Sequence, residues 1–280
     1  MKDREGSSAT TTNLAPQRVD VDNLSISYRA SGDGSPLILL HGFLCDSRVW
    51  RRELEDLADR FRVVAWDAAG AGESADPPED VTIAVWAGYL ASFLDAIAVD
   101  RAHLLGLSWG GLLAQVFYRL HPGRVRTLIL ADTYAGWKGS LGPEIAAQRL
   151  ARCVRESALS PTEFVARWVP TEFFSAASPG LSAEMAEVVS AFHPLGFRLM
   201  AKALAETDTT DLLPTIAVPT LLLWGEDDRR SPLDVAERFR DSIPHAELVV
   251  IRGAGHVSNM ERPEEFDAQV RRFCLQHDTA

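Results

Sequence analysis

Ala102-His103-Leu104-Leu105-Gly106-Leu107-Ser108-Trp109-Gly110-Gly111-Leu112-Leu113-Ala114-Gln115-Val116-Phe117 changes its period in the middle. Up to Leu107 it is a short apolar run, the pattern of a strand covered on both faces. From Leu112 the apolar residues Leu112, Leu113, Val116, Phe117 and Leu120 fall on one face of a helix, stopped by Pro122 and Gly123. The joint is Gly106-Leu107-Ser108-Trp109-Gly110, a G-x-S-x-G pentapeptide in a strand–turn–helix setting. In that setting the chain turns sharply and the Ser108 hydroxyl stands at the carboxyl end of the strand. The positive end of the following helix points at the same place. Gly106 and Gly110 allow the backbone to approach closely there. Alone the pentapeptide occurs by chance in many turns; its flanks give it weight.

Outward from this joint, apolar runs alternate with helical patterns. Leu37–Leu40, Arg62–Trp66, Ala102–Leu107, Thr127–Ala131, Thr220–Trp224 and Leu248–Ile251 read as strands, and Val19–Asp22 with Leu24–Tyr28 as an antiparallel entry hairpin. Trp50, Leu54, Leu57 and Ala58 share one helical face, as do Trp86, Tyr89, Leu90, Phe93 and Ile97 behind the N-cap Thr82. A last helix begins at Pro263 with Glu264 and Glu265 in its first turn and buries Phe266, Val270 and Phe273. The alternation predicts an α/β fold with a mostly parallel central sheet flanked by helices. From about Trp137 to Asp211 strands are absent, and aromatics such as Phe164, Trp168, Phe173, Phe174, Phe192 and Phe197 lie on amphipathic helical stretches. The expected division is a disordered tail over 1–16, a core over 17–136 and 213–277, and a helical cap over 137–212.

Composition narrows the partners. The 280 residues carry 28 Lys+Arg against 39 Asp+Glu, a formal charge of −11, which disfavours nucleic acid and anionic membranes. No apolar stretch reaches the ~18 residues that a membrane span needs. The N-terminal segment is polar and has no apolar h-region, so the expected location is the cytoplasm. Cys45, Cys153 and Cys274 are odd in number and widely spaced, the pattern of reduced buried thiols. The expected partner is a small molecule, and a homodimer is compatible with this composition.

A serine hydroxyl needs a base, itself oriented by a third group. His256, in Gly253-Ala254-Gly255-His256, follows the Leu248–Ile251 strand and is the expected base. His41 reads as loop-shaping, His103 and His121 as structural, His193 as a pocket wall, His245 and His277 as surface. For the acid, Trp224-Gly225-Glu226-Asp227-Asp228 follows another strand; Asp227 and Asp228 are both open, with Asp132 as a rival. Two backbone N–H groups should face the developing oxyanion: Trp109, at the helix start, and Phe43, in His41-Gly42-Phe43 after Leu40.

These motifs resemble the α/β-hydrolase superfamily, in particular its cap-bearing serine esterases and lactonases, among them 3-oxoadipate enol-lactonases, arylesterases and cofactor-free haloperoxidases. The resemblance covers about residues 20–276. It rests on His41-Gly42-Phe43, Asp67-Ala68-Ala69-Gly70-Ala71-Gly72-Glu73-Ser74, Gly106–Gly110, Gly225-Glu226-Asp227-Asp228-Arg229-Arg230-Ser231-Pro232 and Gly253–Pro263. It implies Asp228 as the acid, by the pattern G-x-x-D-x-x-x-P, and a structural role for Asp67. It implies an acyl-enzyme mechanism on an ester or lactone by Ser108, His256 and Asp228, with no metal and no organic cofactor. The same triad is compatible with carbon–carbon bond hydrolysis or perhydrolysis, and the same fold with a slow-turnover ligand receptor. The aromatic insertion, with Phe43 and Trp109 beside the serine, predicts an apolar pocket that favours neutral esters and lactones over charged ones. No arginine of the insertion (Arg149, Arg152, Arg155, Arg167, Arg198) sits in an apolar run that would place it in such a pocket.

Overall fold

The computed structural model describes residues 14–278. Eight strands form one sheet: β1 (Gln17–Val21), β2 (Leu24–Ser31), β3 (Ser35–Leu40), β4 (Phe61–Trp66), β5 (Ala102–Leu107), β6 (Val125–Ala131), β7 (Thr220–Gly225) and β8 (Glu247–Ile251). Their spatial order is β1-β2-β4-β3-β5-β6-β7-β8. The pairs β1–β2 and β2–β4 are antiparallel, and every pairing from β4 to β8 is parallel. Burial follows position. The central β5 and β7 are buried throughout, whereas the edge strands β1 and β8 are largely exposed or half-buried. The β1–β2 turn places Asp22 and Asn23 at positive φ, as a tight hairpin needs.

The helices are α1 (Arg51–Asp56), α2 (Ile83–Ala96), α3 (Trp109–Leu120), α4 (Gly136–Leu141), α5 (Pro143–Glu156), α6 (Pro161–Glu172), α7 (Pro179–Ser190), α8 (Pro194–Glu206), α9 (Leu233–Ser242), α10 (Ser258–Glu261) and α11 (Pro263–Gln276). The Thr82 side chain caps α2, and α11 opens on Pro263. Helices α4 to α8 all lie between β6 and β7 in the chain, and their N-termini are written locally. Ser160 and Glu163 form a capping box on α6, Ser178 caps α7, and a proline begins each of α5 to α8. Among the described residues no helix is long and apolar enough to cross a membrane. The three cysteines are free and buried.

The predicted tail is corrected at its inner end. Residues 1–13 lie outside the described residues, but Leu14 packs against the core, and its carbonyl accepts a hydrogen bond from the Arg29 guanidinium. An apolar side chain packed beside the interior strand β2 gains more from burial than from exposure.

Candidate active site

Parallel strands end on one side of the sheet, and the loops after β3, β5, β7 and β8 meet there. Ser108 is the residue between β5 and α3, at φ 53° and ψ −112°, a strained conformation for a side chain with a Cβ. The surrounding backbone holds it: its N–H donates to the Ala131 carbonyl at 2.8 Å, and its carbonyl accepts from Thr133 Oγ1 at 2.5 Å. The two glycines of the pentapeptide are there for close approach. A Cβ on Gly110 would stand 2.1 Å from the Leu40 carbonyl oxygen, and one on Gly106 would stand 2.3 Å from that of Gly110.

His256 Nε2 lies 2.9 Å from Ser108 Oγ, and His256 Nδ1 lies 2.8 Å from Asp228 Oδ2. The other carboxylate oxygen of Asp228 accepts from the N–H groups of Arg230, at 2.8 Å, and Ser231, at 3.0 Å. Ser108, Asp228 and His256 are 5%, 5% and 6% exposed, so the chain of hydrogen bonds is shielded from water. Burial lowers the His256 pKa, the Asp228 charge beside it opposes that, and the positive charges of Arg230 and Arg149 lower it further. Asp227 is exposed, its N–H bonded to the Ala254 carbonyl. Asp132, the rival acid, does not meet His256. Its carboxylate accepts from Gly225 N, at 2.7 Å, and Ser258 Oγ, at 2.6 Å, tying the ends of β6 and β7 to the histidine loop. Burial, and next the charge of Asp228, push its pKa well up.

The loop after β3 runs beside the serine: a Cβ on Gly42 would stand 3.4 Å from the Ser108 Cβ. The Gly42 carbonyl accepts from Cys45 N and lies 2.8 Å from His41 Nδ1, so the Phe43 N–H, at the other end of the same trans peptide, points the opposite way. His41 Nε2 accepts from Ala68 N at 3.0 Å, which fixes the loop-shaping role expected of it. Asp67 is bonded to Ser47 N and Glu73 N, a structural position.

One expectation about the walls needs correcting. The Trp109 side chain is fully buried beneath the site, stacked on His41 at 6.1 Å and edge-on to Trp86 at 5.3 Å; only its backbone N–H remains a candidate group beside Ser108. Residue 109 begins a helix whose buried face turns toward the sheet, and the indole follows that face. His193 lines a small cavity with Leu44, Phe192 and Phe197, and lies 2.6 Å from Asp76 Oδ1 and 3.0 Å from the Gly72 carbonyl, so it also joins the insertion to the Gly70–Gly72 loop. Phe43 does face the insertion, stacked on Phe197 at 4.8 Å with Trp137 and Trp168 each 6.1 Å away.

Sequence reading missed three groups. Arg230, directly after the acid loop's Asp228-Arg229, has its guanidinium 5.8 Å from the Phe43 ring and 5.7 Å from the Trp168 ring, and is ion-paired to Glu172 of α6. Glu261 holds the α6–α7 linker against the histidine loop, accepting from Ser175 N and Oγ, Ala176 N and Gly255 N. Tyr134 lies between His256, 6.1 Å from ring to ring, and Arg149, whose Nη1 is 3.2 Å from its hydroxyl. Only the charge of residues 230 and 261 within otherwise recognisable motifs could have singled two of them out.

A profile of the alpha/beta hydrolase family matches residues 37–269, and the chain belongs to that family. It is 28% identical to a proline iminopeptidase of Lactobacillus helveticus, over 90% of this chain and 94% of that one. It is likewise 28% identical to 3-oxoadipate enol-lactonase 2 of Acinetobacter baylyi, over 90% of this chain and 95% of that one. Among solved structures, a thermophilic esterase from Thermogutta terrifontis superposes with a TM-score of 0.86 at 31% identity, over 93% of this chain and 99% of that one.

Proposed function

We propose that the protein is a serine hydrolase that cleaves a carboxylic ester or lactone of a small to medium-sized molecule through an acyl-enzyme. The observation that carries this reading is the unbroken hydrogen-bond chain from Asp228 through His256 to a serine held at positive φ between strand and helix. The esterase and enol-lactonase likenesses support the substrate class; the iminopeptidase likeness makes an amide substrate the alternative to test.

In this mechanism Ser108 Oγ attacks the carbonyl carbon while its proton passes to His256 Nε2. Asp228 keeps the imidazole in the tautomer that leaves Nε2 free, and its charge stabilises the imidazolium. The oxyanion lies between the N–H groups of Phe43 and Trp109. Collapse breaks the bond to the leaving alkoxide, which takes the proton from His256. Water then attacks the acyl-enzyme, gives its proton to His256, and releases the acid while Ser108 is reprotonated. Burial of His256 serves the first step, because a lowered pKa keeps the imidazole neutral at neutral pH.

The test is a fluorophosphonate probe read by mass spectrometry, with a panel of aryl esters, lactones, prolyl arylamides and vinylogous diketones. An adduct on Ser108 with turnover of esters or lactones is the expected result. An adduct on another residue, or turnover confined to the arylamides or to the diketones, overturns it.

A further inference from the structure

Where α1 packs against α10 and α11, buried oxygens meet with no hydrogen-bond donor between them: both of the Glu53 carboxyl, both of the Asp267 carboxyl, and Asn259 Oδ1. Glu53 is fully buried, on the same side of its helix as Trp50, Leu54 and Leu57. Three elements face it. α1 itself brings Asp56, α11 brings Asp267, and α10 brings the uncharged side chain of Asn259. The nearby cations are taken up elsewhere. Arg52 and Arg271 act on Asp267, and Arg271 also pairs with Asp59 and donates to the Asp56 carbonyl. A carboxylate buried without donors is costlier than the neutral acid. Burial first, and the Asp267 charge second, accordingly raise the Glu53 pKa well above the ordinary carboxylate range.

The neutral acid brings the one thing the junction lacks, an O–H donor. Asn259 supplies the acceptor. Its Nδ2 donates to the Val49 carbonyl at 3.0 Å, so Oδ1 is the free end of the amide. We propose that Glu53 is a positioning residue for His256: as a neutral acid it donates its O–H to Asn259 Oδ1, and this bond clamps α10 against the start of α1 and so seats the histidine loop. The lever is short. α10 begins two residues after His256, and the N–H groups of Met260 and Glu261 both return to the Val257 carbonyl, so a displaced Asn259 displaces the loop. Phe173 holds that loop from the insertion and Asp132 holds it from the sheet; Glu53 supplies the hold from α1. The signal in the sequence is a carboxylate on the apolar face of an amphipathic helix, where burial demands a reason.

This inference rests on the hydrolase reading of Ser108 and His256, and its test separates the two. With 4-nitrophenyl acetate, Glu53→Ala and Asn259→Ala should each lower kcat by about tenfold with KM little changed, because both shift His256 and neither touches the substrate. The double variant should lose no more than either alone, since the two side chains act through one bond. Glu53→Gln, whose amide N–H donates as the acid does and cannot ionise, should restore kcat. In the unmodified protein kcat should fall at alkaline pH as Glu53 ionises, and Glu53→Gln should lack that fall. Additive losses in the double variant, a Glu53→Gln protein as impaired as Glu53→Ala, or an alkaline fall unchanged in Glu53→Gln overturns the inference and leaves the serine mechanism standing. Infrared difference spectra of the unmodified protein and Glu53→Gln at neutral pH need neither turnover nor a folded Glu53→Ala. A carboxylic acid C=O band that Glu53→Gln lacks supports the inference, and no such band overturns it. If no ester is turned over, the serine reading fails, and hydrogen exchange at residues 257–262 reads the clamp instead. Exchange faster in Asn259→Ala and Glu53→Ala but restored in Glu53→Gln supports it, and exchange unchanged in all three overturns it.

Discussion

The serine elbow and the histidine loop meet at one hydrogen bond, yet they are held by different parts of the chain. Ser108 is fixed by the sheet: Ala131 and Thr133 hold its backbone, and the glycine contacts press it against the end of β3. His256 is fixed by the insertion. Its N–H and that of Val257 both donate to the Phe173 carbonyl, and Glu261 binds the next turns of the same linker. The position of Ser108 is thus a property of the core, whereas that of His256 depends on helices that enter the chain between β6 and β7.

The most severe way to break the comparison is Ser108→Ala, which removes the group that the sheet presents. We expect kcat to fall by about 10⁶ with folding unchanged, as for other residues that act as a unit with their base. Next comes Asp228→Asn, expected to cost about 10⁴ in kcat because the amide favours the wrong imidazole tautomer. It also removes the negative charge that raises the His256 pKa, so the acid limb of the pH–rate profile, already below the ordinary 6.5, should move lower still. Asp227→Asn and Asp132→Asn should leave kcat within about tenfold, since neither carboxylate is bonded to the imidazole. If Asp132→Asn is the more damaging change, the acid has been assigned to the wrong strand.

Glu261→Gln tests the insertion's hold on the histidine. One carboxylate oxygen becomes an amide N–H facing backbone donors, so the linker should shift and kcat fall by about 10²-fold, with KM changed far less. Thermal stability reads the structural part separately. Equal losses in kcat and Tm, with the pH–rate profile unmoved, would make Glu261 a mere support.

The smallest effect is expected far from the elbow. Asp267 is buried near Asp56 and Glu53, and burial, followed by the Asp56 charge, pushes it up to about 7 from its ordinary 3.8. Between those values the folded state binds more protons than the unfolded one, so stability should fall as pH rises from about 4 to about 7. Asp267→Asn should flatten that slope in melting curves. An unchanged slope would mean that other groups carry it.

What could be read from the sequence follows the same division. The β5–α3 joint is local: apolar runs, glycines and a stop signal sit within about twenty residues, so the sheet and the serine could be read directly. The acid could not. Asp227 and Asp228 are adjacent in a loop, and only the hydrogen bonds of residues 228, 230 and 231 separate them. Arg149 and Glu261 were less visible still. Each owes its place to a partner more than eighty residues distant in the chain, and periodicity carries no information across such a gap. The buried orientation of Trp109 was hidden for a related reason. A residue at a helix start turns with the helix, and the pentapeptide does not say which way that is.

The hold of Glu261 on residues 175 and 176, beside that of Phe173 on the histidine loop, also marks where the insertion can be cut and joined. A chimaera that replaces the segment from α4 to α8 by the corresponding helices of a relative exchanges more than a lid. It also exchanges the seat of His256. A transplant that keeps Phe173–Ala176 with Glu261 as one unit, and varies only the helices on either side, changes the walls around Phe43 and leaves His256 within hydrogen-bond reach of Ser108.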